Sequence, residues 1–548
     1  MKTDIINTLR KEVSNYRLYK TIKLNFKYHF GLKRKLKRQL TSIDNILQNQ
    51  DFAPKIFIPL IETSHYQFYQ VLGLAKSLEQ RGAKIKVLIC DSFLPGCEIK
   101  SVRSLNFSPC TTCRFNRNKI IKFFNLDVLY LSELVPEKSF DQMKQLSELN
   151  SEKLIKNYLY EGVDIAPSVR DSVVRYFYGA LPEEGSPEIQ KVREEHLLTA
   201  MISVFVAKTV EAQWSPNIVL NNMNVYSAWE PCFKFFESKG VTTNLISISQ
   251  FNYNAITVNS LDLFKSNERF KRWLKKRAIQ VLSEEEEGEL DLFLNDRVSG
   301  NSEIFRKNAF FDEKKSILEH FDIDKNKRNV FLFSNIYWDV GMSDFGDLYD
   351  GVVSWVLDTI EAIKHDHSCH LYIKPHPGEV YDGTSSLKGL RDFINEKFDV
   401  LPNNVTIIHP EWKVNTYDLF QYIDLGIVYN GTVGLEMLLN EIPVVTTGLC
   451  PYRFLESCTT PKSIQEYWRI LNGKHECIIP RLDEVRLFSY FYFIKTMIPW
   501  SLTKSAYGDD FNGFTFDSLN DLEFGKDKIL DHLCNSILKP EETVIESW

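Results

Sequence analysis

Residues 55–90 read KIFIPLIETSHYQFYQVLGLAKSLEQRGAKIKVLIC, and this stretch decides the fold class. Its two apolar runs, KIFIPLI and KIKVLIC, flank a segment of helical pattern that ends at Arg81 and Gly82. Parallel neighbouring strands need a crossover of about a dozen residues or more, usually a helix, so the order predicts a strand, a helix and a parallel strand. The same order recurs at 216–249, which predicts that both units belong to one α/β domain.

A second group of apolar runs predicts another α/β domain further along the chain. The runs are NVFLFSN (329–335), HLYIKP (370–375), VTIIHP (405–410), DLGIVYN (424–430) and IPVVTTG (442–448). The expected fold class is therefore α/β, with two Rossmann-like doubly wound domains that face a cleft. The expected division is a basic helical extension (1–50), a first domain (51–261), a helical connection (262–328), a second domain (329–482) and an aromatic-rich tail that crosses back to the first domain (483–548). Ser283 and Glu286, at capping-box spacing, predict a helix start within the connection.

The composition predicts a large globular protein. The chain has 548 residues, of which 44% are hydrophobic and 25% charged, so disordered, collagen-like and coiled-coil classes are excluded. No stretch approaches eighteen consecutive apolar residues, and the start MKTDIINTLRKEV lacks the apolar core and cleavage site of a secretory signal. We therefore expect a cytoplasmic protein whose ten cysteines stay reduced or bind metal.

Positive charge is concentrated near the beginning of the sequence. Residues 1–40 contain twelve Lys or Arg against Asp4 and Glu12, about +10 in a chain of formal net charge -6. Aromatic residues such as Tyr19 and Phe26 alternate with these charges, which suits an anionic membrane surface. We expect this segment to hold the protein on the inner face of the cell membrane, and a solvated basic helix is the alternative. The acidic remainder would repel phosphates, so nucleic acid is not an expected partner.

The most specific candidate loop is YNGTVGLE (429–436), which follows one apolar run and begins a helix. Gly431 lets a ligand approach the backbone, Thr432 offers a hydroxyl, and the amides of a helix start favour phosphate. Glu436 lies four residues after Thr432 on the same helix face, where its carboxylate would accept ribose hydroxyls. An ordinary β–α turn capped by Thr432 is the alternative.

A second candidate loop, KPHP (374–377), follows another apolar run of the same predicted sheet. Its two prolines stiffen the turn, so the His376 imidazole and the Lys374 ammonium are held in place to hydrogen-bond a phosphoryl oxygen. No G-x-G-x-x-G follows a strand and no G-x-x-x-x-G-K-[ST] occurs, which disfavours nicotinamide dehydrogenases and P-loop NTPases. The two loops together predict a donor-binding site made of Lys374, His376, Pro377, Asn430, Gly431, Thr432 and Glu436.

These motifs resemble the capsule polysaccharide synthesis family. The resemblance rests on KPHP (374–377), HPE (409–411), NGTVGLE (430–436), IPVVTTG (442–448) and PYR (451–453), and it extends over most of residues 53–470. The family includes the Kdo transferases of capsule assembly and is related more loosely to CDP-glycerol glycerophosphotransferases and bacterial sialyltransferases. The resemblance implies a GT-B glycosyltransferase whose second domain binds the nucleotide and whose first domain binds the acceptor. It also implies that His376 and Thr432 bind the donor phosphate and that Glu436 holds the ribose.

Three side chains are candidates for acid–base catalysis. Transfer with inversion needs a carboxylate or an imidazole that deprotonates the attacking hydroxyl. Glu62 and His65 follow the first apolar run, in the loop expected to face the cleft, although Glu62 also suits the cap of the next helix. Asp339 follows the first run of the second domain, where it would act as a base or stabilise a cationic sugar.

Four of the ten cysteines fall close together, with the spacing C-x6-C-x12-C-x2-C: Cys90, Cys97, Cys110 and Cys113. Zinc in a tetrahedral structural site takes four such thiolates, and the terminal C-x-x-C has a chelating spacing. A structural zinc is one interpretation and buried thiols are the other. No cofactor is expected for catalysis itself.

The sequence therefore predicts a glycosyltransferase. It would move a sugar from a nucleotide-sugar donor to a surface glycan of capsular or lipopolysaccharide type, or to a lipid-linked precursor of that glycan. Two alternatives stay open. One is transfer of a polyol phosphate from a CDP-linked donor, and the other is a non-catalytic subunit of glycan assembly.

Overall fold

A computed structural model describes most of the chain. The described residues are 53–61, 67–98, 110–111, 113–114, 117, 123–153, 157–248, 255–259, 266–298, 323–339, 348–380, 385–410, 415–499, 502 and 514–538. The predicted basic extension, the catalytic candidate Glu62 and its neighbour His65 lie outside these residues. No helix in the described ranges is both long enough and apolar enough to cross a bilayer.

The strands and helices are numbered here in chain order. The strands are β1 (Lys55–Ile61), β2 (Lys84–Ile89), β3 (Val128–Tyr130), β4 (Leu159–Tyr160), β5 (Val163–Asp164), β6 (Ile218–Asn221), β7 (Thr242–Ile248), β8 (Ala255–Asn259), β9 (Arg328–Phe333), β10 (Cys369–Lys374), β11 (Val405–Ile407), β12 (Leu425–Val428), β13 (Val444–Thr446) and β14 (Ile498–Pro499). The α-helices are α1 (Gln67–Gln80), α2 (Leu131–Leu134), α3 (Glu137–Asn150), α4 (Ala166–Tyr176), α5 (Pro187–Trp214), α6 (Tyr226–Ser238), α7 (Ser266–Lys276), α8 (Glu284–Val298), α9 (Val352–Ile363), α10 (Leu390–Lys397), α11 (Thr432–Leu439), α12 (Ile464–Leu471), α13 (Leu482–Tyr490) and α14 (Lys528–Leu538). Short 3-10 helices lie at Ser151–Lys153, Pro377–Glu379, Thr416–Tyr422 and Leu519–Leu522, and a π-helical turn lies at Phe491–Lys495.

The first sheet has seven strands in the order β14-β8-β7-β6-β1-β2-β3. Its five strands from β7 to β3 are parallel, whereas β8 and β14 extend one edge in antiparallel fashion. The central strand β1 is buried on both faces, because Phe57 belongs to one apolar core and its neighbours Ile56 and Ile58 to the other. Burial on both faces explains the unbroken apolar run of this strand.

The second sheet has five parallel strands in the order β11-β10-β9-β12-β13. Its central strand β9 directs Val330 and Leu332 to one face and Phe331 and Phe333 to the other, and each face has its own core. In both sheets the chain first adds strands on one side of the starting strand and then returns to add strands on its other side. The predicted α/β class with two Rossmann-like doubly wound domains is confirmed.

The helical connection packs on the second sheet. Its helix α8 begins with the predicted capping box, since the Ser283 amide donates to Glu286 Oε2 (2.9 Å) and the Glu286 amide donates to Ser283 Oγ (3.3 Å). Leu290 of α8 lies in the same core as Phe331. These contacts bring the last turn of α8 towards the edge of the second sheet.

The C-terminal segment returns to the first sheet. Strand β14 pairs with β8 at the sheet edge, and Leu530 and Leu533 of α14 share the core that contains Leu74 of α1. Arg81, just after α1, is bound to this segment because its guanidinium lies 2.5 Å from Asp531 Oδ1. The first domain is thus assembled from two separate stretches of sequence.

Candidate functional site at the edge of the second sheet

The carboxyl ends of three neighbouring strands meet at one edge of the second sheet. Strand β9 lies between β10 and β12, and both Lys374 and Val428 pair in register with Phe333. The order of strand addition reverses between β9 and β12, and ligands of open α/β sheets bind in the crevice outside such a reversal. The two predicted loops, 374–377 after β10 and 429–436 after β12, therefore lie on either side of this crevice.

The loop after β12 makes a turn that requires glycine at position 431. Gly431 has a φ of 130°, a conformation that disfavours any residue with a side chain. The Asn335 side chain after β9 accepts from the Asn430 amide (3.2 Å), and the Asn430 side chain accepts from the Gly431 amide (2.8 Å). The turn is therefore fixed before any ligand arrives.

Helix α11 begins at Thr432 without a side-chain cap, since Gly431 occupies the cap position. The alternative in which Thr432 caps this helix is not what the structure shows. The Thr432 hydroxyl instead accepts a hydrogen bond from Arg297 of α8 (3.3 Å). The helix start thus keeps the amide groups and dipole that favour a phosphate.

Glu436 of α11 forms a buried ion pair with Arg297. Both side chains are more than nine-tenths buried, and the guanidinium also lies over the rings of Phe293 (5.7 Å) and Phe493 (5.5 Å). Burial acts to lower the pKa of Arg297, but Glu436 and Tyr417 raise it by more than burial lowers it. The net change in the pKa is upward, so the guanidinium stays charged. Arg297 therefore joins the connection to both candidate donor residues of α11, and the ribose contact of Glu436 stays a prediction.

The loop after β10 orients the His376 imidazole. The Gly378 amide donates to His376 Nδ1 (3.0 Å), and Pro377 begins the short 3-10 helix that His376 caps. The His376 side chain is exposed at the sheet edge. Desolvation by the surrounding protein is the main cause that lowers the pKa of its ring to about 4. The charge of Asp339 opposes this lowering, and the charge of Lys374 adds to it. The imidazole is neutral at pH 7. Because Nδ1 is an acceptor, Nε2 carries the proton and is a hydrogen-bond donor.

Lys374, at the end of β10, is a buried cation. It is 7% exposed, and burial lowers the pKa of its ammonium to about 8. No carboxylate forms an ion pair with it in the part of the chain that the structure describes. A buried charge normally needs a partner of opposite sign, and a bound phosphate would supply one.

Two hydroxyl groups at neighbouring strand ends are also buried without a hydrogen-bond partner among the described residues. Ser334 follows β9 and is 7% exposed, and Thr447 follows β13 and is 2% exposed. Most buried polar groups in folded proteins are hydrogen-bonded, so each exception calls for an explanation. Together with the Lys374 ammonium they place three buried polar groups along one sheet edge, as expected of an edge that binds a polar ligand.

Asp339 lies where the two domains meet. Its charge opposes the lowering of the His376 pKa in the second domain, and it raises the pKa of Tyr226 in the first domain, where burial has the largest effect. Tyr226 begins α6 after β6, next to β1, and has a φ of 68°. Ile61, the last residue of β1, has a φ of 29°. Non-glycine residues in this region are strained, and such strain concentrates at functional sites.

A buried polar cluster supports the first domain near Tyr226. The Glu98 carboxylate accepts from Ser172 Oγ (2.6 Å) and Ser227 Oγ (3.2 Å), and His196 Nδ1 lies 2.8 Å from Ser227 Oγ. Burial raises the pKa of Glu98, and Arg175 opposes that rise. The pairing of His196 and Glu98 with the same serine hydroxyl stabilises the start of α6.

The cysteine cluster has half-buried side chains at Cys90, Cys97, Cys110 and Cys113. Within the described residues, no group of three or more His, Cys, Asp or Glu side chains is arranged to hold a metal ion. Burial raises the pKa of Cys90, which disfavours the thiolate. Structural zinc at these residues stays a prediction for metal analysis.

The fold and the site define a two-domain α/β protein with a polar crevice at the switch point of its second sheet. No family model matches the chain, and no curated protein matches it. Solved structures with a similar fold include two of KpsC from Thermosulfurimonas dismutans. The first is a β-Kdo 2,4-transferase, with 15% identity over 50% of this chain and 79% of that chain and a TM-score of 0.34. The second is a β-Kdo 2,7-transferase, with 11% identity over 55% of this chain and 85% of that chain and a TM-score of 0.31. Another is a glycosyltransferase from Rickettsia africae ESF-5, with 10% identity over 89% of this chain and 99% of that chain and a TM-score of 0.25.

Proposed function

We propose that this protein is a glycosyltransferase that binds a nucleotide-sugar donor at the carboxyl edge of its second sheet. The observation that carries the proposal is Lys374, a buried ammonium without a carboxylate partner in the described ranges, beside the turn that orients His376. A donor phosphate would pair with the ammonium and accept from His376 Nε2–H. The uncapped start of α11 lies across the same crevice and favours the same charge.

The proposed reaction places the acceptor over the first sheet. The acceptor hydroxyl attacks the anomeric carbon of the donor, a new carbon–oxygen bond forms, and the bond from that carbon to the phosphate oxygen breaks. The electron pair leaves with the nucleotide phosphate, where Lys374 and the neutral His376 stabilise the developing charge. Asp339 would take the hydroxyl proton, because it lies close enough to Tyr226 of the first domain and His376 of the second to change the pKa of each.

The acceptor we favour is a surface glycan or a lipid-linked precursor of it. The resemblance of the KPHP and NGTVGLE motifs to the capsule polysaccharide synthesis family supports this choice. The basic residues of 1–40 support a site of action on the inner face of the cell membrane.

A thermal-shift panel tests the donor site directly. The purified protein is heated with CMP, CDP, UDP, GDP or dTDP, and binding at a hundred times the dissociation constant should add about 2.7 kcal/mol of stability. His376→Ala should reduce the response, whereas Lys364→Met, which alters a surface lysine paired with Glu361, should leave it unchanged. If none of the five nucleotides stabilises the protein, the non-catalytic alternative replaces this proposal.

Product analysis then decides the reaction. A sugar transferase forms a glycosidic bond and releases the nucleotide with its phosphate. A polyol-phosphate transferase instead leaves a phosphodiester in the product, which mass spectrometry detects by the mass of the added phosphate. A phosphodiester product would replace glycosyl transfer by the alternative reaction while keeping the donor site.

A further inference from the structure

A four-residue turn after β9 forms part of the contact between the two domains. The Asp339 amide donates to the Ile336 carbonyl (3.2 Å), which closes the turn. Its central residues, Tyr337 and Trp338, both contact the first domain, and Asp339 is the residue that leaves the turn. Contacts that hold the Tyr337 and Trp338 side chains in place therefore also hold Asp339 in place.

Tyr337 makes a contact that only glycine accommodates. Its hydroxyl donates to the Gly179 carbonyl (2.5 Å) in the turn after α4. Gly179 has a φ of 83°, and a Cβ atom at this position would lie 1.8 Å from the Tyr337 hydroxyl oxygen. The two domains are thus fitted to each other at atomic contact here.

Trp338 packs against two side chains of the first domain, with its ring tilted 61° to that of Tyr178 in an edge-to-face contact. Its ring lies 5.0 Å from the Tyr178 ring, and the Arg175 guanidinium lies 4.9 Å from the Trp338 ring and 5.2 Å from the Tyr178 ring. The indole Nε1 donates to Ser386 Oγ (2.7 Å), and the adjacent Leu387 amide donates to the Tyr178 carbonyl (3.1 Å). A stacked cation and a hydrogen-bonded indole together fix the orientation of this ring.

We propose that Trp338 is a positioning residue, which by docking on Tyr178 and Arg175 holds Asp339 between Tyr226 of the first domain and His376 of the second. Ile336, the first residue of the turn, packs on Gly378, where an added Cβ would lie 2.6 Å from the Ile336 side chain, and the Gly378 amide donates to His376 Nδ1 (3.0 Å). The turn that ends at Asp339 therefore lies beside the His376 loop and, through Trp338, against the first domain. The charge of Asp339 accordingly acts on the pKa of both Tyr226 and His376. The catalytic meaning of this placement rests on the proposed function. The placement itself is measured without any substrate.

The test follows the His376 imidazole by NMR in protein labelled with carbon-13 histidine. The signal is assigned by its loss in His376→Gln, and it is titrated downward from neutral pH in the wild type, Asp339→Asn and Trp338→Leu. Removing the Asp339 charge should shift the His376 titration to lower pH, because that charge favours the imidazolium. Trp338→Leu should reproduce most of this shift, and the double variant should add nothing to Asp339→Asn.

Trp468→Leu is the matched control. Trp468 of α12 also donates its indole N–H to a side chain, Asp358 Oδ2 (2.7 Å), but it is not part of the turn contact. The control should leave the His376 titration unchanged. If Trp338→Leu does not fold, Arg175→Met removes the cation that lies over the Trp338 ring while leaving the second domain intact, and it should shift the titration in the same direction.

Two results would overturn the proposal. In the first, Asp339→Asn shifts the His376 titration but folded Trp338→Leu leaves it as in the wild type. Arg175→Met takes the place of Trp338→Leu in this comparison if Trp338→Leu does not fold. The other is an unshifted titration in Asp339→Asn, which would mean that Asp339 does not face His376. The NMR test needs no nucleotide, so it stands even if no nucleotide stabilises the protein. A wrong donor assignment is detected by the thermal-shift panel, and a wrong positioning role is detected by the His376 titration.

Discussion

Replacing Lys374 by methionine should stabilise the free protein while removing its response to nucleotide. The folded protein buries this ammonium and lowers its pKa from 10.5 to about 8. One pKa unit corresponds to about 1.4 kcal/mol, so the charged lysine destabilises the fold by about 3 kcal/mol near neutral pH. Methionine keeps an unbranched side chain in the same space and needs no partner charge. A residue that weakens the fold at a polar crevice fits a binding role, because activity can require a destabilised site.

The pH dependence of stability gives an independent check on this reasoning. Below pH 8 the lysine is protonated in both the folded and the unfolded protein. Between about pH 8 and pH 10.5 the unfolded protein keeps a proton that the folded protein has released, so the free energy of unfolding rises with pH in that window. Lys374→Met should lose this rise.

The assay is chemical denaturation of both proteins at pH 7 and in the alkaline window, together with thermal shifts in the nucleotide panel. The control is Lys364→Met, whose ammonium lies 2.5 Å from Glu361 and is partly exposed. A surface pair of this kind should change stability by less than about 1 kcal/mol. A Lys374→Met protein that is less stable than the wild type and still responds to nucleotide would refute the reasoning, because Lys374 would then be a structural residue.

Four further variants test other parts of the molecule. His376→Ala should weaken nucleotide binding by about 1.5 to 3 kcal/mol without unfolding the protein, and calorimetry with an unchanged affinity would remove His376 from the site. Glu436→Gln should lose several kcal/mol of stability in denaturation, because Arg297 stays buried without its partner, and a double change of both residues to apolar ones should restore much of it. Deletion of 1–40 should release the protein from anionic vesicles in co-sedimentation while preserving turnover on a soluble acceptor, and binding indifferent to the deletion or to salt would reject the membrane role. Cys110→Ser should lower both zinc content and stability, whereas active protein that contains no zinc would leave the cluster as ordinary thiols.

The general fold was predictable because the central strands are buried on both faces. Burial of this kind requires a continuous apolar run, and the runs at β1, β2, β9 and β10 are visible in the sequence for that reason. The short strand β3 has no fully buried residue, so it leaves no comparable pattern.

The candidate site was predictable only where the ligand-facing residues follow a strand directly. Lys374, His376 and Gly431 come together because parallel strands end at one sheet edge. Arg297 lies 135 residues before Thr432 and reaches it through the packing of α8, which no local pattern records. The same holds for Arg175, whose contact with Trp338 depends on how the domains meet.

The return of the C-terminal segment to the first sheet has a consequence for synthesis. When the ribosome has made residues 53–260, the face of α1 that carries Leu74 and Leu78 still lacks the α14 side chains that cover it. Those side chains arrive only after the whole second domain has been translated. N-terminal domains usually fold first during synthesis, but this one completes its core last. A nascent chain that stalls before residue 528 therefore presents an apolar helix face to chaperones, and truncated chains that end there should aggregate.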